Sequence, residues 1–229
     1  MPLRHDLWRV GVVPAPMAEL VAGTRRLDEV SWLPPEPRAF TFLADPFGLW
    51  HDGKLHLFVE AYDYRDKHGR IDLLRLGPDF SVADRRTVLA EPWHLSYPFV
   101  FEGEGETWML PEAHRSGGLY LYRAIDFPLR WERLDWIPLG AVPVDATPIR
   151  HDGLWWLLYC SGASKQSKIS ELHLSFAEKL EGPWHPHPLN PVRVSHADGR
   201  PGGTPIPIDG GLMMPMQDCT LTYGGAIRP

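Results

Sequence analysis

Carboxylates recur at matched points along this chain, and matched carboxylates are the raw material of acid–base chemistry. Asp45 stands before Pro46 in ADPFG, and Asp145 lies in VDATPI shortly before Pro148. Tyr97, Thr147 and Thr204 occupy the place before Pro98, Pro148 and Pro205. Beyond the same prolines, at equal distance, come Glu60, Glu112, Gly162 and Cys219, with Gln217 and Asp218 just before the last. Like charges brought into one hollow push their pKa values apart, so one group holds a proton while another stays ionised. Two such carboxyl groups flank the bond in glycoside hydrolysis. Asp45, Asp145 and Glu112 are therefore the candidate catalytic groups. Glu60, Tyr97, Arg200, Gln217 and Asp218 are the candidate substrate-binding groups. Arg200 is the best cation for a ligand carboxylate or phosphate, because its planar fork suits bidentate contacts.

Each of these residues also has a structural reading. Asp before Pro is a common turn starter and can cap a neighbouring backbone group. Repeated Glu60 and Glu112 can serve a repeated inter-blade hydrogen bond, and Asp218 is similar. His51-Asp52-Gly53 and His151-Asp152-Gly153 read as solvated hairpin turns. The eleven histidines show no ligand spacing, so neither a metal nor any other cofactor is expected. The tryptophans read first as core wedges, although one exposed at a channel mouth would stack on a pyranose ring.

The elements that would position these groups follow from a repeat. FLADPFGLWHDGKLHLF (Phe42–Phe58) is a strand, an Asp-Gly turn and a second alternating strand. The phrase returns as SYPFVFEGEGETWML, ATPIRHDGLWWLL and GTPIPIDGGLMM. The anchoring prolines recur about every 50 residues, the signature of a β-propeller built from short-stranded blades. The expectation is an all-β, five-bladed β-propeller in a single domain, 1–229. Blades begin near residues 42, 96, 144 and 200. In a propeller the first strand of each blade lines the channel, so Asp45 and Asp145 would be aimed at one cavity.

Blade one is expected to hold strands Phe42–Trp50, Lys54–Ala61, Arg70–Leu76 and Thr87–Ala90. In blade three, KISELHLSF alternates as a strand, and GPWHPHPLNPV reads as a proline-rich outer strand. Blade four stops one strand short. Residues 1–41 lie outside the repeat. Met17–Ala22 reads as a helical turn, and Leu7–Val13 as a strand that closes the ring by joining the last blade. Two copies completing each other would be another way to finish the ring.

Composition narrows the partners. The net charge is -6, which argues against a nucleic-acid surface. No apolar run reaches spanning length, and the first residues lack a signal-peptide core. Cys160 and Cys219 read as reduced thiols, and the expected location is cytoplasmic. Expected partners are a small-molecule or glycan substrate and, beyond it, a transferase or a second copy; neither nucleic acid nor membrane insertion is expected.

The segments ADPFG, EAYDYRDKHGRI, HLSYPFVFEGEGETWMLPEAH, LYLYRAIDFPLRWE, VDATPI, LEGPWHPHPLNPV and PMQDCTLTYGGAI together resemble the propeller domain at the N-terminus of glucosamine inositolphosphorylceramide transferases. The likeness runs from Trp8 onward. Related bacterial copies accompany formyltransferase-like domains. More distantly the chain is similar to the five-bladed propellers of glycoside hydrolase family 43. That resemblance implies a general base at Asp45 and an orienting, tuning Asp at Asp145. The hydrolases carry a Glu general acid where the fourth blade starts. This chain has RPGGTP there, Arg200–Pro205, with no carboxylate. Glu112 or Glu60 is the available substitute; without an acid, hydrolysis loses a factor of ~10²–10⁴.

Three functions remain open on the sequence. One is a carbohydrate-active enzyme using Asp45 as base, Asp145 as tuner and Glu112 as acid. Another is a non-catalytic sugar-recognition module partnering a glycosyl- or formyltransferase. The third is a propeller enzyme doing other carboxylate-base chemistry on a biosynthetic intermediate, because a fold does not fix a reaction.

Overall fold

A computed structural model describes residues 6–24 and 30–228. The parts of the N-terminal segment at 1–5 and 25–29, and the last residue of YGGAIRP, lie outside the described residues. The chain divides into two compact units, Met1–Pro98 with Asp126–Arg130, and Phe99–Ile125 with Trp131–Pro229.

In the first unit, β1 (Gly11–Val12) precedes a short helix, α1 (Met17–Val21), and β2 (Ser31–Trp32). The strand expected over 7–13 is thus only two residues long. It pairs with β2, and not with a strand of the last blade. Val10 and Leu33 drive this choice. Both are buried on the first sheet with Leu43, Leu57, Val59 and Leu74, so burial of apolar surface holds the segment locally. The first sheet is a four-stranded antiparallel meander of β3 (Thr41–His51), β4 (Lys54–Asp63), β5 (His68–Leu76) and β6 (Val82–Leu89). Asp52 and Gly53 turn β3 into β4, both at positive φ, as the Asp-Gly signal requires.

The second sheet runs β7 (Ser96–Gly103), β8 (Glu106–Glu112), β9 (Tyr120–Asp126) and β10 (Arg130–Trp136), in the order β10-β9-β8-β7. A 3-10 turn, His114–Ser116, follows β8. The third sheet contains β11 (Pro143–His151) and β12 (Leu154–Ser161); then come a helical turn, α2 (Ser167–Ser170), and β13 (Glu171–Ala177). KISELHLSF therefore begins as helix and becomes strand only at Glu171. Ser170 Oγ bonds back to Gln166 O at 2.9 Å, and this local bond competes with a ladder. Of the outer strand expected in GPWHPHPLNPV only β14 (His185–Pro186) forms; β15 (Arg193–Val194) follows directly after the segment, and both pair with β13. Prolines cannot donate to a ladder, so a continuous strand does not form.

The fourth sheet is β16 (Arg200–Pro201), β19 (Met216–Asp218) and β20 (Ala226–Arg228). Between them β17 (Ile206–Ile208) and β18 (Gly211–Met213) make a separate hairpin. GGTPIPI is thus a hairpin arm, and the sheet's first strand is the shorter Arg200–Pro201. The architecture is all-β and propeller-like, with four blades among the described residues where five were expected. The second unit's main core collects Trp108, Leu110, Leu121, Trp155, Leu157 and Trp184.

Candidate functional site

The backbone singles out one position at the start of each of the first three sheets. In β3 the ladder pairs Ala44 with Glu60 and resumes at Phe47 with Phe58, leaving Asp45 and Pro46 as a bulge. In β11 it pairs Val144 with Cys160 and resumes at Thr147 with Leu158, leaving Asp145 and Ala146. Asp45, Tyr97 and Asp145 all take left-handed φ, at 47°, 44° and 50°. Few non-glycine residues adopt this region, and for a bulky Tyr it is a genuine outlier. Bulges re-aim a side chain beside functional sites. The structural equivalents are therefore Asp45, Tyr97 and Asp145. The proline alignment had set Asp45 against Thr147, two residues late. By the same register Cys160, and not Gly162, is the counterpart of Glu60.

In the first unit Asp45 is half-buried, and its Oδ2 accepts the Tyr97 backbone N–H at 3.2 Å. Tyr97 is buried with its ring edge-on to Phe47, 4.7 Å between centroids. Glu60 is buried, with Oε1 3.7 Å from His94 Nε2. His94 Nδ1 accepts the Gly69 N–H at 2.9 Å, which places the ring proton on Nε2, toward Glu60. A side chain at position 69 would meet Leu95 O at 2.4 Å, so only glycine lets the histidine come this close.

In the second unit a denser group forms around Asp145, which is 2% exposed. Its Oδ2 accepts Arg200 Nε at 2.7 Å and Gln217 Nε2 at 2.6 Å. Gln217 Nε2 also donates to Pro201 O at 2.7 Å. Arg200 is itself 5% exposed. Its Nη1 donates to Lys168 O at 2.8 Å and its Nη2 to Tyr223 Oη at 3.0 Å. Burial works against the Arg200 charge, but Asp145, Tyr223 and Glu112 outweigh it and hold its pKa above the usual range. Three of its nitrogens are committed inside the protein, so it is not the ligand-facing cation that its position in the sequence suggested.

Glu112 ends β8, buried, with Oε1 2.5 Å from His114 Nδ1. Burial pushes this carboxyl up. The His114 hydrogen bond and the Arg200 and His114 charges overcome that push and hold it at about 2. An ionised carboxylate is only an acceptor, so His114 presents the N–H. Cys160 lies beside this group, its Sγ directed to Gly199 O at 3.2 Å, and burial lifts its thiol to about 12. It is no nucleophile, since the thiolate is the reactive form.

Asp218 leaves the group. Alternation along β19 sends Gln217 and Asp218 to opposite faces. Asp218 Oδ1 takes Thr220 N at 2.9 Å and Oγ1 at 2.5 Å, while Oδ2 takes Arg228 Nε at 2.7 Å. These bonds hold Asp218 at about 2 and make it a loop organiser. Thus Asp145, Glu112, Arg200 and Gln217 come together in the second unit, whereas Asp45, Tyr97 and Glu60 belong to the first. Sequence reasoning missed His114 and Tyr223. His114 opens the 3-10 turn just past the end of β8, two residues after Glu112, where strand alternation no longer applies. Tyr223 lies outside the repeat and carries no periodic signal.

The profile of a family described as Glucosamine inositolphosphorylceramide transferase 1, N-terminal, matches residues 31–229. The chain is 36% identical over 192 residues to a protein named glucosamine inositolphosphorylceramide transferase 1 from Oryza sativa subsp. indica, covering 82% of this chain and 26% of that one. It is equally similar, 36% over 194 residues, to the protein of the same name from Arabidopsis thaliana, covering 82% and 25%. The chain therefore spans about a quarter of the length of these relatives. Among solved structures it is similar to a thermostable family-43 glycoside hydrolase, with a TM-score of 0.58 and 14% identity over 81% of this chain and 68% of that one. A family 117 glycoside hydrolase from Zobellia galactanivorans gives 0.64 and 16%, covering 80% and 66%. At such identities the likeness is one of fold.

Proposed function

This chain belongs to the family of the N-terminal region of glucosamine inositolphosphorylceramide transferase 1, and on that premise we propose that it is a sugar-recognition module serving a transferase. The observation that carries the reading is the setting of Glu112. The carboxyl expected to donate a proton is buried and tied to His114 Nδ1 at 2.5 Å, and that bond and the nearby Arg200 charge hold it well below the usual carboxylate range, whereas a general acid needs a pKa near its working pH. The start of the fourth blade adds support. Where the hydrolase resemblance expects a carboxylic acid, Arg200 stands instead, bonded to Asp145. Asp145, expected to tune that acid, also binds Gln217 through the same oxygen. The result is a stiff, charge-balanced support, the kind that holds ligand-facing groups in place.

The relatives' name couples glucosamine with inositolphosphorylceramide. In this reading the chain recognises one of these polar rings, the amino sugar or the inositol headgroup. The finer architecture belongs to the same proposal: a five-bladed ring of which the described residues supply four blades. Its support is that the chain covers only 68% of the family-43 hydrolase it resembles.

Calorimetric titration with glucosamine, N-acetylglucosamine and myo-inositol tests the reading, run beside nitrophenyl glycosides followed for days. Saturable binding without turnover is expected. Turnover that Asp45→Asn or Glu112→Gln abolishes would establish hydrolysis in its place. Absence of binding to every ring would remove the recognition reading.

A further inference from the structure

Tyr223 is an exposed aromatic residue tied to a buried charge. It is 53% exposed, yet Arg200 Cζ lies over its ring, 5.0 Å from the centroid. Arg200 Nη2 also donates to its hydroxyl at 3.0 Å. The guanidinium is fixed in turn by Asp145 Oδ2 and Lys168 O. A carboxylate, a guanidinium and a phenol ring are thus stacked from the core outward. The loop carrying Tyr223 joins β19 to β20 and is pinned at its base. Gly225 N donates to Asp218 O at 3.1 Å, Cys219 N to His196 O at 2.7 Å, and Thr220 N to Asp218 Oδ1 at 2.9 Å.

Single exposed aromatics are ordinary on protein surfaces. An exposed ring whose plane is set by a buried ion pair is a different object. Such a ring has little rotamer freedom left to lose when a ligand covers it. Aromatic faces pair well with the flat C–H face of a sugar or cyclitol, and a cation–π contact stiffens the arrangement from behind. We propose that Tyr223 is the stacking platform for a neutral or cationic hexose, hexosamine or cyclitol ring, and that the Asp145–Arg200 pair is its support. The proposal rests on the recognition reading above and deepens it. It also gives the buried ion pair a role that needs no proton transfer. The ligand's phosphate, if it has one, is bound elsewhere, because Arg200 already uses three nitrogens inside the protein.

The test compares dissociation constants for glucosamine and myo-inositol, measured by NMR titration, across wild type, Tyr223→Ala, Tyr223→Phe and Leu221→Ala. Leu221, 97% exposed on the same loop, is the control for loop disturbance. Tyr223→Ala is expected to weaken binding about tenfold, the factor that 1.4 kcal/mol represents. Tyr223→Phe keeps the stacking face and stays within about threefold of wild type, and Leu221→Ala within about twofold. If wild type and Tyr223→Ala bind equally well, the platform is overturned while recognition stands. Equal weakening in all three variants also overturns it, because the loop and not the ring would then matter. Failure of wild type to bind either ring removes both readings.

Discussion

The bulge in β3 and the bulge in β11 are built alike and used differently. Each interrupts its ladder by two residues, and each opens with an aspartate at left-handed φ, 47° at Asp45 and 50° at Asp145. Asp45 is half-buried and accepts a backbone N–H at 3.2 Å. Asp145 is buried, and one oxygen takes both a guanidinium and an amide. The backbone device thus supplies a direction, while the residues facing it decide the chemistry. In the first unit the aspartate stays half-buried and holds the Tyr97 backbone. In the second it has been turned into an anchor.

The largest break between the two follows from burial. Removing one partner of a buried ion pair strands the other charge, at a cost of about 3–5 kcal/mol. Asp145→Ala is therefore expected to lose about that much stability in urea unfolding, because the buried Arg200 loses the carboxylate bonded to its Nε. Asp45→Ala acts at a half-buried position where the aspartate holds the Tyr97 backbone N–H, and is expected to lose less, about 1 kcal/mol. A combined Asp145→Leu, Arg200→Met variant sharpens the point. It removes both charges together and is expected to recover most of the loss. Equal losses for Asp145→Ala and Asp45→Ala would show that the two bulges carry similar loads.

Acid stability gives the next contrast. The Glu112 carboxyl sits at about 2 in the folded chain, against roughly 4.3 in an unfolded one. A depressed carboxylate stabilises the fold fully above its unfolded pKa, and the contribution disappears as pH falls through the folded value. The expected loss is on the order of 3 kcal/mol between about pH 4.5 and 2. Glu112→Gln should flatten that part of the stability curve, measured by denaturant midpoints at each pH. A curve unchanged by the substitution would mean that His114 and Arg200 do not hold the carboxylate as the geometry indicates.

The repeat made the blades legible. A proline-anchored phrase of alternating residues specifies a strand, a turn and a strand, and β3 and β4 follow it, whereas β6 starts at Val82, well before the expected Thr87. Register was less legible, because a bulge shifts the ladder without altering composition. Pro148 lies beyond the β11 bulge, whereas Pro46 lies inside its own. Counting from prolines thus displaced Asp145 by two positions and matched Glu60 with Gly162. The partners of Arg200 were not legible at all. Asp145, Lys168 and Tyr223 are far from it in sequence and meet it only through tertiary packing. The proline-rich GPWHPHPLNPV reads as extended, but only His185–Pro186 within it pairs, and the next short strand starts just past it at Arg193, because the missing N–H groups fragment the ladder. The all-β class survives these local errors because alternation, unlike register, is a property of each strand alone.

The smallest expected effect is also the most discriminating. At left-handed φ an aspartate carries a strain that glycine does not, worth about 1 kcal/mol. Asp45→Gly relieves this strain and loses the hydrogen bond to Tyr97 N, which contributes about 0.5–1.5 kcal/mol. The unfolded chain gains some freedom, which opposes the relief. The terms nearly cancel, so Asp45→Gly is expected within about 1 kcal/mol of wild type. Asp145→Gly relieves the same strain, yet it strands Arg200 and is expected to lose several kcal/mol regardless. Equilibrium unfolding of the two glycine variants isolates the side chain's environment from the backbone they share. If Asp45→Gly proves as damaging as Asp145→Gly, the half-buried aspartate is itself an anchor, and the contrast between the two bulges falls.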